Sequence, residues 1–485
     1  MDDSMKFGII TNCKAGLELA QRLLERDHRI ALCKIGDLIP NSEFVGFTHE
    51  ISSYNADLVV DIETLVASVP QPRTIIILCK NYNSDLLSQI SNVVSPGDTI
   101  VDCSDMFYKE SARNTLALKK QGVTYIGTGY IYVTDQSIEK PAFMISGNEE
   151  VAKKIQYYLS DISASVAGKS CAAYLGPEGV GQFVKMVTTG IYFANLEIVS
   201  EAIEIMQRVL KMDPNEIANI LSDFNSGEAQ SYILDSASSV IGRIDDLTDG
   251  YLADAVLDRV QNSHKDGWIG RSSTELDCPI PTISAAIDMH FASQRINERV
   301  AASGICYAKP LDNVDSSKRK EITEHCRKAI YMGAICAAAQ GYSMIKSASD
   351  RYMWNIDLAM VAACIQGGTM LHSNLMLKVF EILNNNPKIE NLITSDYFTD
   401  VIRNYSDDVR ELICECVRDG ISIPGISSII NYIDSMRCRK LPCASAQLIR
   451  DSISGLGFER IDRSGLFTGE WQLPSNSVKQ NKIKD

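Results

Sequence analysis

The sequence predicts an α/β, Rossmann-like N-terminal domain (residues 1–177), a large all-α domain (178–437) and a C-terminal tail (438–485). Three observations carry this. Short apolar runs alternate with amphipathic helical stretches through the first third of the chain. From Gly181 onward helical periodicity takes over. From Ser454 to the end the chain is glycine-bearing and polar, with a closing NSVKQNKIKD tip.

Composition narrows the function classes. The 485 residues are 45% hydrophobic and 22% charged, a globular balance long enough for two or three domains. The net charge of -14 argues against a general nucleic-acid binder, because no broad basic face is available to neutralise phosphates. No apolar run reaches the roughly 18–20 residues that span a membrane. The start, MDDSMKFGII, lacks the basic and apolar regions of a signal peptide. The 14 cysteines are scattered, with no CxxC pair and no zinc-site spacing. They read as reduced thiols of a cytoplasmic protein, with no metal and no membrane partner.

Met5–Thr11 reads as a buried strand, Gly16–Asp27 as an amphipathic helix, and Arg29–Lys34 as the next strand. This βαβ opening is where a dinucleotide fingerprint belongs. The loop Thr11-Asn-Cys13-Lys-Ala-Gly16 keeps only the last of the three glycines. Gly16 permits close helix–strand packing, while Thr11 and Cys13 put Cβ atoms where the backbone should approach a pyrophosphate. After the second strand comes Lys34, which meets a 2′-phosphate as a point charge rather than as a fork. Further strands are expected at Leu58–Asp61, Thr74–Cys79, Thr99–Asp102, Thr124–Ile126 and Phe143–Ser146, with helices between them. The alternation argues a parallel, doubly wound sheet. Gly127-Thr-Gly129 reads as a turn, and Tyr130–Pro141 as a connection over the carboxyl edge of the sheet.

A long helix is expected over Phe183–Val209. Asp213 then caps a short helix, with Pro214 at its first position and Glu216 three residues after the cap. Leu252–Val260, Thr282–Ala302, Ser316–Ile345, Arg351–Ile365, Met370–Leu383, Leu412–Asp419 and Ile426–Met436 continue the helical region, and Asn262–Arg271 is a polar loop around Trp268. At the junction of the two regions lies Gly176–Ser200, whose lone Lys185 sits among Phe183, Val184, Met186 and Val187. This lysine has two readings. It extends its head to water from a half-buried helix, or it is desolvated into a general base.

The residues at this junction carry a family resemblance. Gly179-Val-Gly-Gln-Phe-Val-Lys-Met-Val187 with Gly190-Ile191 is similar to the GAGHFVKMVHNGIEY block of the decarboxylating 6-phosphogluconate dehydrogenases. Collinear support comes from Asn225-x-Gly227-x-x-x-Ser231-Tyr232, Ala339-Gln340-Gly341-Tyr342, Gly367-Gly368 with Ser373, Leu441-Pro442 with Gln447-x-x-Arg450-Asp451, and Gly465-x-Phe467 with Trp471. The resemblance spans nearly the whole chain. It implies a dinucleotide-binding domain, an all-α dimerisation domain and a tail that docks on the partner subunit. It also implies NADP as cofactor, a sugar-acid phosphate as ligand, a homodimer, and oxidative decarboxylation of 6-phosphogluconate to ribulose 5-phosphate.

Carried across residue by residue, the resemblance puts the family's base on Lys185 and its acid on Tyr192, a far weaker acid than a carboxylic acid. The preceding His-Asn pair falls on Thr188-Thr189, and a phosphate-contacting tyrosine on Phe193. The Ser-Gly-Gly substrate turn falls on Ile131-Tyr132-Val133. The lysine loop before tryptophan becomes Ser263–Gly267, with Lys265 in shifted register. A phosphate-binding arginine falls on His290. The tail arginine remains as Arg450, while its companion histidine falls on Leu456. The Asn-Arg that holds the 2′-phosphate falls on Lys34-Ile35, and the asparagine near the nicotinamide on Asp105.

The departures cluster at the chemistry, where each oriented donor or acid supplies about 10²–10⁴ in rate. The first reading is therefore a relative with the reaction weakened or lost, acting as a binding or regulatory subunit, either as a homodimer or as a heterodimer with an intact paralogue. The second is a divergent working enzyme that rebuilds its site with Lys34, Lys265, His290 and Arg450. The third is an oxidoreductase on another β-hydroxyacid that keeps Lys185 as base.

Overall fold

The computed structural model describes residues 5–80, 84–131, 133, 140–261, 264–305, 314–471 and 478–480. They form two compact units, Met1–Ile430 and Asn431–Asp485. The first unit begins β1 (Lys6–Thr11), α1 (Lys14–Leu24), β2 (Arg29–Lys34), α2 (Asn41–Glu50), β3 (Ala56–Val59), α3 (Ile62–Ser68), β4 (Thr74–Leu78), α4 (Ser84–Val93) and β5 (Thr99–Asp102). It continues α5 (Tyr108–Lys119), β6 (Thr124–Ile131), β7 (Ala142–Gly147), α6 (Glu149–Ser160), β8 (Ser165–Val166), β9 (Lys169–Ser170) and β10 (Ala172–Gly176).

Eight strands make one sheet in the order β10-β7-β6-β5-β4-β1-β2-β3. The six from β3 to β6 are parallel, as the alternating pattern predicts. β7 runs antiparallel to β6, and β10 parallel to β7. β6 ends at Ile131 and β7 begins at Ala142, a separation short enough for antiparallel neighbours. Apolar clusters cover both faces. Phe7, Ile9, Leu17, Ile76 and Val101 pack on one side, and Ile10, Leu65, Ile75, Ile77 and Ile100 on the other. Burial on both faces is why β4 reads TIIIL without alternation.

Two local expectations change. Gly127-Thr-Gly129 is not a turn but the middle of β6, paired with Ser146, Ile145 and Met144. Asp61 is not a strand residue. It caps α3, its carboxylate accepting from the Thr64 N–H at 2.7 Å. Gly16 does what its spacing suggests. A Cβ there would meet the Oγ1 of Thr11 at 2.0 Å and its Cβ at 2.5 Å. Thr11 is fully buried and cannot give way. Gly16→Ala should therefore lower stability by about 2 kcal/mol, read from the urea midpoint; an unchanged midpoint would contradict this packing.

Helices fill the rest of the unit: α7 (Val180–Arg208), α8 (Pro214–Asn225), α9 (Tyr232–Ile241), α10 (Leu252–Ala255), α11 (Trp268–Glu275), α12 (Pro281–Ser293), α13 (Ile296–Ala302), α14 (Ser316–Tyr352), α15 (Leu358–Gly368), α16 (Asn374–Asn385), α17 (Asp396–Arg418) and the first half of α18 (Pro424–Arg437). The Asp213 cap forms as expected, accepting from Glu216 N–H at 2.9 Å with Pro214 in the first turn. The helix expected over 252–260 stops at Ala255, where Val256 turns extended. The stretch Thr282–Ala302 is two helices. The chain at Val260 docks at the break, its N–H donating to Ser293 Oγ at 3.1 Å and its carbonyl accepting from Gln294. Trp268 opens α11 instead of sitting in a loop.

α7 carries an acidic pair one turn apart, half-buried Glu197 and buried Glu201. Both oxygens of Glu201 accept backbone N–H groups at the start of α18, from Gly425 and Ile426, at 2.7 Å each. Burial is the main reason that the Glu197 carboxyl is pushed up to about 7 and that of Glu201 to about 8. Both acids bind protons more tightly folded than unfolded, where 4.5 is ordinary. Their stabilisation is thus full below pH 4.5 and lost as pH climbs to about 8. Urea midpoints should be lower at pH 8.5 than at pH 6, and Glu197→Gln should flatten that difference; an unaltered slope would sink the assignment.

The second unit contains α19 (Cys443–Ser454) and a three-stranded sheet of β11 (Phe458–Glu459), β12 (Leu466–Gly469) and β13 (Val478–Gln480). The loop-like tail expected from sequence is therefore partly ordered. Its organiser is Asp451, a buried carboxylate that accepts from Gly457 N–H at 2.7 Å, Gly469 N–H at 2.9 Å and Trp471 Nε1–H at 2.8 Å. Every described cysteine is free. No helix among the described residues is long and apolar enough to cross a membrane.

Candidate active site

The site begins with how α7 meets the sheet. Gln182, buried in its first turn, donates through Nε2 to the carbonyls of Ser104 and Thr128, both at 3.1 Å. One side chain thus ties the helix to the carboxyl end of β5 and to the middle of β6. The β5 end is itself braced. Asp102 accepts from Ser104 N–H at 2.9 Å and Tyr125 OH at 2.9 Å, and Ser104 Oγ accepts from Cys79 N–H at 3.0 Å. In an open α/β sheet, ligands collect at this edge.

Three residues along α7, Lys185 enters a cavity of about 140 Å³. Asp105, Met106, Gln182, Thr189, Phe193, Lys265 and Trp268 are among its walls. Lys185 Nζ forms an ion pair with Asp105, and Lys265 Nζ lies 3.9 Å from the other oxygen of that carboxylate. The Lys185 ammonium holds the Asp105 carboxyl below its ordinary range despite opposing burial. Thr188 and Thr189 donate back to carbonyls of their own helix, Val184 at 2.8 Å and Lys185 at 3.0 Å. Their hydroxyl protons are therefore spent within α7.

The remaining candidates fall elsewhere. Tyr192 is half-buried and outside the cavity wall, and burial raises its hydroxyl further above the ordinary value. His290 is buried edge-on against Phe193 at 4.9 Å. Burial pushes its imidazole below the ordinary range, with Asp266 opposing. Arg450 is exposed on α19, in the second unit. Tyr132 lies outside the described residues, as do Asn262 and Ser263. Sequence reasoning missed Gln182, although its place three residues before Lys185 sets both on one helix face.

The cofactor side differs from its sequence reading. Thr11 and Cys13 do not project into the phosphate space. Thr11 Oγ1 donates to Leu78 O at 2.8 Å and accepts from Cys13 N–H at 3.1 Å, and Cys13 Sγ also faces Leu78 O, at 3.5 Å. Both side chains turn into the sheet. α1 starts without a side-chain cap, as a helix end does when it is left to receive an anion. Lys34, at the end of β2, meets Asn41 Oδ1 at 3.0 Å and lies over the Phe44 ring. An uncapped helix start and a cation at the next strand end are features that suit an anionic ligand.

Models of two protein families match the chain. The NAD binding domain of 6-phosphogluconate dehydrogenase covers residues 6–176, and the 6-phosphogluconate dehydrogenase C-terminal domain covers residues 181–471. The chain belongs to the 6-phosphogluconate dehydrogenase family. It is 29% identical over 468 residues to the NADP(+)-dependent, decarboxylating 6-phosphogluconate dehydrogenase of Bacillus subtilis, covering 96% of this chain and 99% of that one. It is 30% identical over 413 residues to a decarboxylating 6-phosphogluconate dehydrogenase of Staphylococcus aureus, covering 84% and 88%. The fold matches the solved 6-phosphogluconate dehydrogenase of Plasmodium falciparum with a TM-score of 0.89 at 24% identity, over 96% of this chain and all of that one. As a family member, the chain has an NAD(P)-binding N-terminal domain of the Rossmann type, and Lys185 lies in the first helix of the helical domain.

Proposed function

We propose that this chain is a divergent, working 6-phosphogluconate dehydrogenase that uses NADP. One observation carries the proposal. Lys185 stands in a cavity beyond the carboxyl end of β5, with a second cation, Lys265, beside it. Two amines in one cavity suit a substrate that bears a carboxylate and a phosphate. The relatives named above support the same substrate. Gly16, the amide end of α1 and Lys34 would hold NADP, which supplies the hydride acceptor. Lys185 would take the proton from the substrate hydroxyl, and it must first leave Asp105, because an ion-paired ammonium has no free lone pair. Lys265 would hold an anionic group of the substrate. Tyr192 is not among the residues that line the cavity, so protonation of the enediol falls to water or to Lys185 itself.

The ion pair, and a cavity lining that does not include Tyr192, favour a second reading, in which the chain binds the family's ligands but turns them over feebly. One experiment separates the two. Absorbance at the NADPH band is followed with 6-phosphogluconate and NADP, alongside the melting temperature with NADP. NADPH formation supports the proposal. A rise in melting temperature without NADPH supports the binding subunit. Gel filtration of the 53.5 kDa chain tests the homodimer that goes with either.

Lys34 gives a sharper test of cofactor choice. Lys34→Ala should weaken NADP about tenfold, the loss of one charge-assisted contact, while leaving NAD unaffected. Equal losses for both cofactors would contradict the role given to Lys34.

A further inference from the structure

A second cluster of chemistry-bearing side chains lies away from the cavity, where α14 packs along α17. Glu321 and His325 are one helical turn apart on α14, and Glu411 faces them from α17. One ligand-capable atom from each lies within 4.8 Å of the others. The two carboxylates are at the surface and the imidazole is 4% exposed.

The histidine separates this cluster from a chance gathering of acids. Its Nε2 faces Asp408 Oδ1 at 3.4 Å. Its Nδ1 is buried and has no hydrogen-bond partner among the described residues. A ring that turns Nε2–H to Asp408 carries its lone pair on Nδ1. A buried lone pair without a donor is unfavourable. A carboxylate on the far nitrogen of the ring is also the arrangement that orients metal-ligating histidines.

Charge points the same way. Glu321, Asp408, Glu411 and Glu415 face two ammonium groups. Lys318 bonds Glu321 at 2.7 Å and Glu415 at 2.5 Å, and Lys328 bonds Asp408 at 2.5 Å. Two negative charges are left over. The contact of Lys318 is to one oxygen of Glu321, so the other remains for a ligand.

We infer that Glu321, His325 and Glu411 form a site for a divalent ion of the zinc class, clipping α14 to α17. One imidazole and two carboxylates with an open position suit zinc and its neighbours. Calcium, which takes six to eight oxygens, is poorly served by three ligands. None of these residues lines the Lys185 cavity, so the ion is structural and does not enter the reaction.

The test uses the full chain with Cys414→Ser, Cys438→Ser and Cys443→Ser, because those exposed thiols would bind zinc themselves. The protein is stripped with chelator and titrated with zinc in a calorimeter, with melting temperature followed in parallel. One equivalent should bind and raise the melting temperature. Glu411→Gln, at an exposed position that leaves the fold intact, should weaken binding at least tenfold, and His325→Asn should abolish it. Cobalt in place of zinc should give visible bands without a thiolate charge-transfer band. Absence of binding in the parent protein, or equal binding in parent and Glu411→Gln, overturns the site. Should Glu411→Gln misfold, Glu321→Gln is read by the same criteria.

Discussion

Lys185→Ala is expected to remove NADPH formation from 6-phosphogluconate, by about 10²–10⁴-fold or more, the range typical of a lost general base. The protein should fold normally. Lys185 is 17% exposed and its partner Asp105 is 47% exposed, so water can take over the contacts that the ammonium leaves. The melting temperature should stay within a few degrees of the parent's. Lys185→Arg is the informative companion. It keeps the charge beside Asp105, but a guanidinium does not give up its proton. It should bind 6-phosphogluconate and still fail to turn it over. Steady-state rates and substrate binding by calorimetry read the two effects separately. Turnover retained in Lys185→Ala would place the base elsewhere and undo the proposed reaction.

The parallel sheet was legible because its strands are buried on both faces. Runs such as TIIIL in β4 need no neighbour to be recognised. The reversal at β7 was not legible, because nothing local in AFMISG distinguishes a strand running up from one running down. α2 escaped notice for a different reason. Phe47 is its one buried residue, so it has almost no apolar face to repeat.

At the site, sequence placed Lys185 and Lys265 but could not show that Asp105 stands between them. Their separation in the chain hides a contact made only when α7 and the turn at 264–267 come together over the β5 end. The cofactor loop was misread in an instructive way. Losing two glycines suggested blocked phosphate space, yet Thr11 and Cys13 turn inward and bond Leu78 O. A side chain's direction depends on the partner that receives it, and that partner is 65 residues or more away in sequence. The zinc-class site was invisible for the same reason. Glu321 and His325 have helical ligand spacing, but the third carboxylate comes from another helix.

Gly181→Ala is expected to destabilise the protein by about 3 kcal/mol, and to lower activity with it. A Cβ at Gly181 would lie 1.9 Å from the Met144 carbonyl oxygen and 3.2 Å from the Gly129 backbone nitrogen. A Cβ at Gly129 would in turn lie 2.3 Å from the Gly181 carbonyl oxygen. Backbone faces backbone on both sides, so no rotamer change relieves the clash. α7 would have to lift from β6 and β7. That movement would pull Gln182 from Ser104 and Thr128 and shift Lys185, one turn further on. The helix-propensity gain of alanine over glycine, about 1 kcal/mol, opposes this but is smaller. Gly46→Ala isolates that gain. Gly46 lies within α2 with nothing within 4 Å of a built Cβ, so alanine there should stabilise by about 1 kcal/mol. Urea midpoints that move in opposite directions for the two variants would show that close backbone approach, and not glycine content as such, holds the catalytic lysine in place. A Gly181→Ala midpoint at or above the parent's would refute it.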